Sequence, residues 1–79
     1  MVNIDECIII KEVAVEDYDA LAKALNYLDT RTWGFIPYSE IYDDGATVQA
    51  ECCMDERGDI DQIEDYLDGF GFHYYIEYI

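Results

Sequence analysis

Four acidic side chains follow one another at helical spacing late in the chain, where Asp61, Glu64, Asp65 and Asp68 are separated by steps of three and four residues. On a helix this spacing places the four carboxylates on one face, with neighbouring Cβ atoms about 5–6 Å apart. No lysine is interleaved to relieve their repulsion. Such a row can imitate a row of backbone phosphates, so the spacing predicts an acidic ridge, formed by these four residues, that suits a basic groove.

The acidic ridge belongs to a strongly acidic segment. Eleven acids and only Arg57 lie between Pro37 and Asp68, so this segment carries about −10 of the net charge of −15. Self-repulsion of this size destabilises a compact domain, and we therefore expect it to serve a partner. Besides the acidic ridge, we expect the partner-binding surface to include Glu40, Asp43, Asp44, Asp55, Glu56, Tyr38 and Tyr42. Aromatic residues dominate interface energetics, and Tyr75, Tyr78 and Trp33 are further candidate anchors.

Other uses of these side chains are less well supported. The segment that begins at Asp55 lacks the order of acids in a calcium-binding loop and has Arg57 among the would-be ligands, so we predict no metal and no cofactor. Nucleophilic catalysis usually needs a histidine beside Ser or Cys, and His73 is the one histidine. The glycines at 69 and 71 end a helix, whereas a phosphate-binding loop precedes one. We therefore expect that the protein is not an enzyme.

Direct binding to nucleic acid is also disfavoured by the composition. Domains that stack bases on strand aromatics still need Lys and Arg for the phosphates. The chain has four such residues against 19 acids. We predict a basic protein, rather than DNA, RNA or a membrane, as the partner.

The elements that must position these residues follow from hydrophobic periodicity. Strands are predicted over 7–10, extending toward 13, and over 32–42, 46–54 and 72–79. Helices are predicted over 16–28 and from 60 onward, the second with Asp59 as its N-cap and with Gly69 or Gly71 at its end. Asp43, Asp44 and the glycine that follows predict the turn of a hairpin.

The order βαββαβ resembles the ferredoxin-like fold, a split βαβ arrangement. It implies an α+β domain with a four-stranded antiparallel sheet and two helices on one face. Residues 1–79, 52% of them hydrophobic, are expected to form a single acidic domain. This order of elements says little about function.

Three cysteines, Cys7, Cys52 and Cys53, are interpreted as buried reduced thiols. Cys52 and Cys53 point to opposite faces of a strand, so at most one can approach Cys7 if the two strands are neighbours. The odd count does not suit a secreted disulfide scaffold. The chain also shows neither a basic start before an apolar stretch nor a long apolar run, and we predict a cytoplasmic location.

In size, charge and compactness the chain resembles the small acidic proteins of phages and mobile elements that include DNA-mimic antirestriction and anti-CRISPR inhibitors. The resemblance implies inhibition by occupancy, in which the acidic surface docks in the basic channel of a nuclease or CRISPR-Cas effector subunit and blocks target DNA. It implies the host cytoplasm as the compartment. The chain is expected to act as a monomer or homodimer.

Three alternative functions stay open, beside the case of a solvated acidic face that has no partner. An immunity protein or antitoxin that neutralises one basic toxin would use the same steering charge. A housekeeping protein of a high-salt organism would spread its acids over all surfaces, whereas here they are concentrated. A regulatory or enzymatic ferredoxin-like domain would oligomerise through its sheet and bind a metabolite between subunits.

Overall fold

The computed structural model describes residues 6–31 and 34–79, with the side chains of 36–40 excepted. These described residues form four strands and two α-helices in the predicted order. In chain order the elements are β1 (Glu6–Ala14), a 3-10 turn (Val15–Asp17), α1 (Tyr18–Arg31), β2 (Phe35–Asp43), β3 (Thr47–Met54), α2 (Ile60–Phe70) and β4 (Tyr75–Tyr78).

The strands form one antiparallel sheet in the order β2-β3-β1-β4. Buried residues from both helices, including Leu21, Leu28 and Leu67, join one hydrophobic core with buried strand residues such as Ile8 and Val48. Both helices therefore cover the same face of the sheet, and the predicted ferredoxin-like α+β fold is confirmed.

A β-bulge in β1 keeps the sheet face apolar. Ile10 lies opposite Ala50 and Val13 opposite Val48, so the two residues between them oppose a single residue of β3. Strict alternation from Ile10 would bring Glu12 to the core. The bulge instead turns Glu12 outward, at a left-handed φ of 60°, and returns Val13 to full burial.

The residues at both ends of α2 act as predicted. The Asp59 side chain accepts a hydrogen bond from the Asp61 backbone N–H at 3.0 Å, which caps the first turn. Gly71 ends the helix in a left-handed conformation with φ 80°, as a residue without Cβ readily does. Ile63 and Leu67 are fully buried, so the opposite side of α2 faces solvent.

Candidate functional site

The hairpin acids, Asp43 and Asp44, build the turn between β2 and β3. Asp43 Oδ1 accepts a hydrogen bond from the Gly45 N–H at 2.7 Å. Asp44 Oδ1 accepts from the N–H groups of Thr47 at 2.8 Å and Ala46 at 3.0 Å. These two backbone donors, Thr47 first, lower the pKa of the Asp44 carboxyl. Both acids are exposed, so their charges are available to a partner while their oxygens hold the turn.

Asp55 has a similar structural role before α2. Its carboxylate accepts from the Arg57 backbone N–H at 2.8 Å and forms an ion pair with the guanidinium at 2.7 Å. The Arg57 side chain, and then its backbone N–H, lower the pKa of Asp55. Glu56 is exposed in the same turn. Asp55 is therefore partly neutralised, and Glu56 is the freer charge of the pair.

The acidic ridge lies on α2 as its spacing predicts, with one difference. Asp61, Asp65 and Asp68 are exposed, whereas Glu64 is half-buried. Within residues 6–31 and 34–79, ion pairs join Lys11 to Glu77 and Arg57 to Asp55, and none reaches the acidic ridge.

A groove of about 460 Å³ separates the end of α2 from β4. We call it the β4 groove; it is lined by Glu64, Asp68, Phe72, His73, Tyr74, Tyr75, Ile76 and Tyr78. Across it, the Tyr74 hydroxyl donates to Asp68 Oδ1 at 2.7 Å and to the Glu64 backbone C=O at 3.3 Å. Burial, the bond to Asp68 and the nearby carboxylates raise the pKa of Tyr74 far above its usual value. The phenol therefore stays a hydrogen-bond donor at neutral pH.

The structure places the predicted acidic residues in three parts of the fold: the β2–β3 hairpin, the turn before α2 with Asp55 and Glu56, and α2 itself. The hairpin acids lie at the β2 edge of the sheet, whereas Glu64 and Asp68 of the acidic ridge line the groove beside β4, the opposite edge. With neighbouring strands about 4.8 Å apart, these edges are separated by about 14 Å. The hairpin acids and the β4 end of the acidic ridge therefore form separate patches, with Asp55 and Glu56 in the turn before α2.

The predicted aromatic anchors are partly described. Tyr42 lies opposite Gln49 and is 71% exposed, and Tyr75 and Tyr78 are each 54% exposed. Tyr38 and Glu40 have side chains outside the described residues, as does Trp33. Exposed tyrosines thus lie at both edges of the sheet.

Tyr74 is a site residue that the sequence analysis did not single out. Tyr74 packs half-buried against the hydrophobic core, where a tyrosine hydroxyl needs a hydrogen-bond partner. Asp68, six residues earlier across the end of α2, supplies that partner. Because a tyrosine packed against the core needs a partner for its hydroxyl, a nearby acidic residue was the signal that could have pointed to Tyr74.

The interpretation of all three cysteines as reduced thiols is wrong for two of them. Cys7 and Cys53 lie opposite each other in β1 and β3, with Cα atoms 4.0 Å apart, and form a disulfide. Their register places both side chains on the sheet face away from the helices. Cys52 is a free buried thiol, and burial raises its pKa to about 12. It is therefore protonated and unreactive at neutral pH.

Within the described part of the chain, no three His, Cys, Asp or Glu side chains converge on a possible metal position. The single histidine, His73, is exposed at the rim of the β4 groove. No helix among the described residues combines the length and apolarity needed to cross a bilayer. No protein-family model, curated protein or solved structure matches the chain.

Proposed function

We propose that this chain is an inhibitor that occupies the basic nucleic-acid-binding surface of another protein, a host defence nuclease or a CRISPR-Cas effector subunit, and so excludes target DNA. The observation that carries the proposal is the acidic ridge, whose four carboxylates have no ion-pair partner among the described residues. The net charge of −15 supports it, because opposite fields accelerate association with a basic protein.

The charge density of the acidic ridge is of the right order for a DNA mimic. The seven-residue step from Asp61 to Asp68 spans about 10 Å of helix axis at 1.5 Å per residue. Duplex DNA carries one charge per 1.7 Å, or about six over the same length, against four on the ridge. Because the ridge is held on a packed helix, it binds without the cost of ordering a flexible segment.

We place this activity in the cytoplasm, that of the host cell for a phage-encoded chain. Reducing conditions there keep thiols reduced. The Cys7–Cys53 pair would then be open in the cell. Binding through α2 should not require the disulfide, because both cysteines lie on the other face of the sheet.

Competition against DNA tests the proposal. A fluorescently labelled duplex is bound to each of several unrelated basic DNA-binding proteins, including a nuclease and an RNA-guided effector, and the chain is added while fluorescence anisotropy is followed. Release of the duplex from several of them, weakening steeply as salt rises, is expected of a charge mimic.

Two other results would contradict the proposal. Release from none of the proteins would show that the charge does not compete with DNA. Tight binding to a single toxin, with no effect on DNA binding elsewhere, would identify an immunity protein or antitoxin instead.

A further inference from the structure

The outer edge of β4 has unpaired backbone groups. The Ile79 backbone N–H donates to the Cys7 C=O at 3.1 Å, and Glu77 lies opposite Ile9 in the same register. In an antiparallel pair, residues whose N–H and C=O groups face the neighbouring strand alternate with residues whose groups face away. Ile76 and Tyr78 therefore direct their N–H and C=O groups outward, where no strand pairs with β4 among the described residues.

The same two residues line the β4 groove, together with Glu64 and Asp68 of α2. Backbone donors and acceptors thus lie along one side of the groove, and two carboxylates lie along the other. An extended segment beside β4 would pair with the backbone of Ile76 and Tyr78. Every second side chain of that segment would point toward α2, because strand side chains alternate between the two faces.

We propose that the outer edge of β4 binds an extended basic segment of the partner as a fifth strand, with Lys or Arg side chains in the β4 groove against Glu64 and Asp68. The proposal rests on the proposed function and names its docking site. In such strand addition, main-chain hydrogen bonds supply affinity and the alternate side chains supply specificity. Tyr78 lies opposite the buried Ile8 and is therefore on the α2 side of the sheet, where its exposed ring offers a face over which a cationic side chain can lie.

Charge complementarity selects this occupant over a second copy of the chain. Pairing of two β4 edges would bring the Glu64 and Asp68 carboxylates of both copies toward each other, adding repulsion between molecules that each carry −15. A basic segment instead attracts these carboxylates. The occupant is therefore a protein segment with a positive residue at every second position.

The probe is a capped ten-residue peptide of alternating Arg and Thr, added to the ¹⁵N-labelled full chain at low salt. We expect hydrogen exchange of the Ile76 and Tyr78 amides to slow at least tenfold when the peptide is saturating. A peptide of the same sequence, N-methylated at the residues whose N–H groups would face β4, keeps the charge but cannot complete the ladder, and should bind at least tenfold more weakly.

Two double variants remove equal charge from the same helix. Glu64→Gln with Asp68→Asn neutralises the groove, whereas Asp61→Asn with Asp65→Asn neutralises ridge positions that do not line it. The first should weaken peptide binding about tenfold and the second less than threefold. The amide oxygen introduced by Asp68→Asn can still accept the hydrogen bond from Tyr74, so the fold is preserved.

Several results would overturn this inference. The first is that the N-methylated peptide binds as tightly as the unmodified one, and the second is that the two double variants weaken binding equally. The third is that Ile76 and Tyr78 are protected without peptide because the chain forms a dimer, seen by analytical ultracentrifugation. If the chain still displaces DNA from basic proteins in any of these cases, the docking mode fails and the proposed function stands. If displacement is also absent, both fail.

Discussion

The hydroxyl of Tyr74 lies 2.7 Å from Asp68 Oδ1 and connects the residue before β4 to the last turn of α2. This bond fixes one carboxylate of the acidic ridge relative to the sheet edge. Replacing Tyr74 by Phe removes its bonds to the Asp68 carboxylate and the Glu64 C=O and should lower the free energy of unfolding by about 1.5 kcal/mol, the low end for a hydrogen bond to a charged group. Urea denaturation measures the change.

The matched control is Tyr78→Phe, which removes the hydroxyl of an exposed tyrosine on the same segment. This variant should unfold at the urea concentration of the original chain. Equal destabilisation by the two changes would show that the bond to Asp68 contributes nothing.

Gly34 should be the glycine least tolerant of a side chain. Its C=O accepts from the Asp55 N–H at 2.8 Å, its φ is +79°, and an added Cβ would lie 2.7 Å from the Gly58 backbone nitrogen and against the Asp55 carboxylate. Gly45 also has positive φ, +94°, but has open space around it. Gly45→Ala should cost about 1 kcal/mol of stability from strain alone.

The clash at Gly34 adds to this strain. Gly34→Ala should cost at least about 2 kcal/mol more than Gly45→Ala, because overpacking against backbone is not easily relieved. The difference between their urea midpoints measures it. Equal midpoints would mean that the segment around Asp55 moves aside freely.

The Cys7–Cys53 disulfide should contribute strongly to stability in oxidising buffer. The two cysteines are 46 residues apart, and in the chain-entropy account a loop of that length is worth about 4 kcal/mol. A chain with Cys7→Ser and Cys53→Ser should lose up to that amount. It should also be insensitive to dithiothreitol, which destabilises the original chain. If dithiothreitol left the unfolding midpoint of the original chain unchanged, the disulfide would not contribute to stability.

Stability should depend on pH in two opposite ways. From pH 7 toward 5, partial neutralisation of a chain with net charge −15 relieves self-repulsion, so the thermal midpoint should rise, and added salt should raise it at pH 7. Asp44 and Asp55 have lowered pKa values in the folded state. Their contribution to stability is complete above the unfolded-state pKa of about 3.9. It is lost as pH falls through the lower folded-state pKa, so the thermal midpoint should fall when the pH is below about 4.

Calorimetry from pH 2.5 to 7.5 checks this profile. Asp44→Asn with Asp55→Asn keeps oxygen acceptors at both positions but removes their titration, so the acid limb should become shallower. If the thermal midpoint of this variant fell just as steeply at low pH, other groups would be responsible for the loss of stability.

The sequence could predict the features that depend on neighbouring residues. The Asp59 cap, the end of α2 at Gly71 and the spacing of the acidic ridge are local, and each lies where it was expected. The order of the elements was sufficient to identify the fold class. Their bounds shifted by a few residues: α1 begins at Tyr18 after a 3-10 turn and β4 at Tyr75.

The features that sequence reasoning missed depend on the register of distant strands. The bulge before Val13 is visible only when β1 is aligned with β3. The same alignment determines that Cys53, rather than Cys52, faces Cys7. It also separates the hairpin acids from the acidic ridge, because the strand order sends β2 and β4 to opposite edges. Composition and spacing do not give the register of these long-range pairings.

The central claim is that the acidic ridge, and not net charge alone, docks on a basic DNA-binding surface. The direct test compares two quadruple variants of equal charge. One replaces Asp61, Glu64, Asp65 and Asp68 by Lys, and the other replaces the exposed acids Glu6, Glu12, Glu16 and Asp19 by Lys. Each is titrated against a basic protein that the original chain displaces from labelled duplex, after circular dichroism has shown that both variants fold. We expect the ridge variant to displace the duplex at least 100-fold less effectively than the original chain, and the control variant less than tenfold less effectively. Equal losses in the two variants would contradict it.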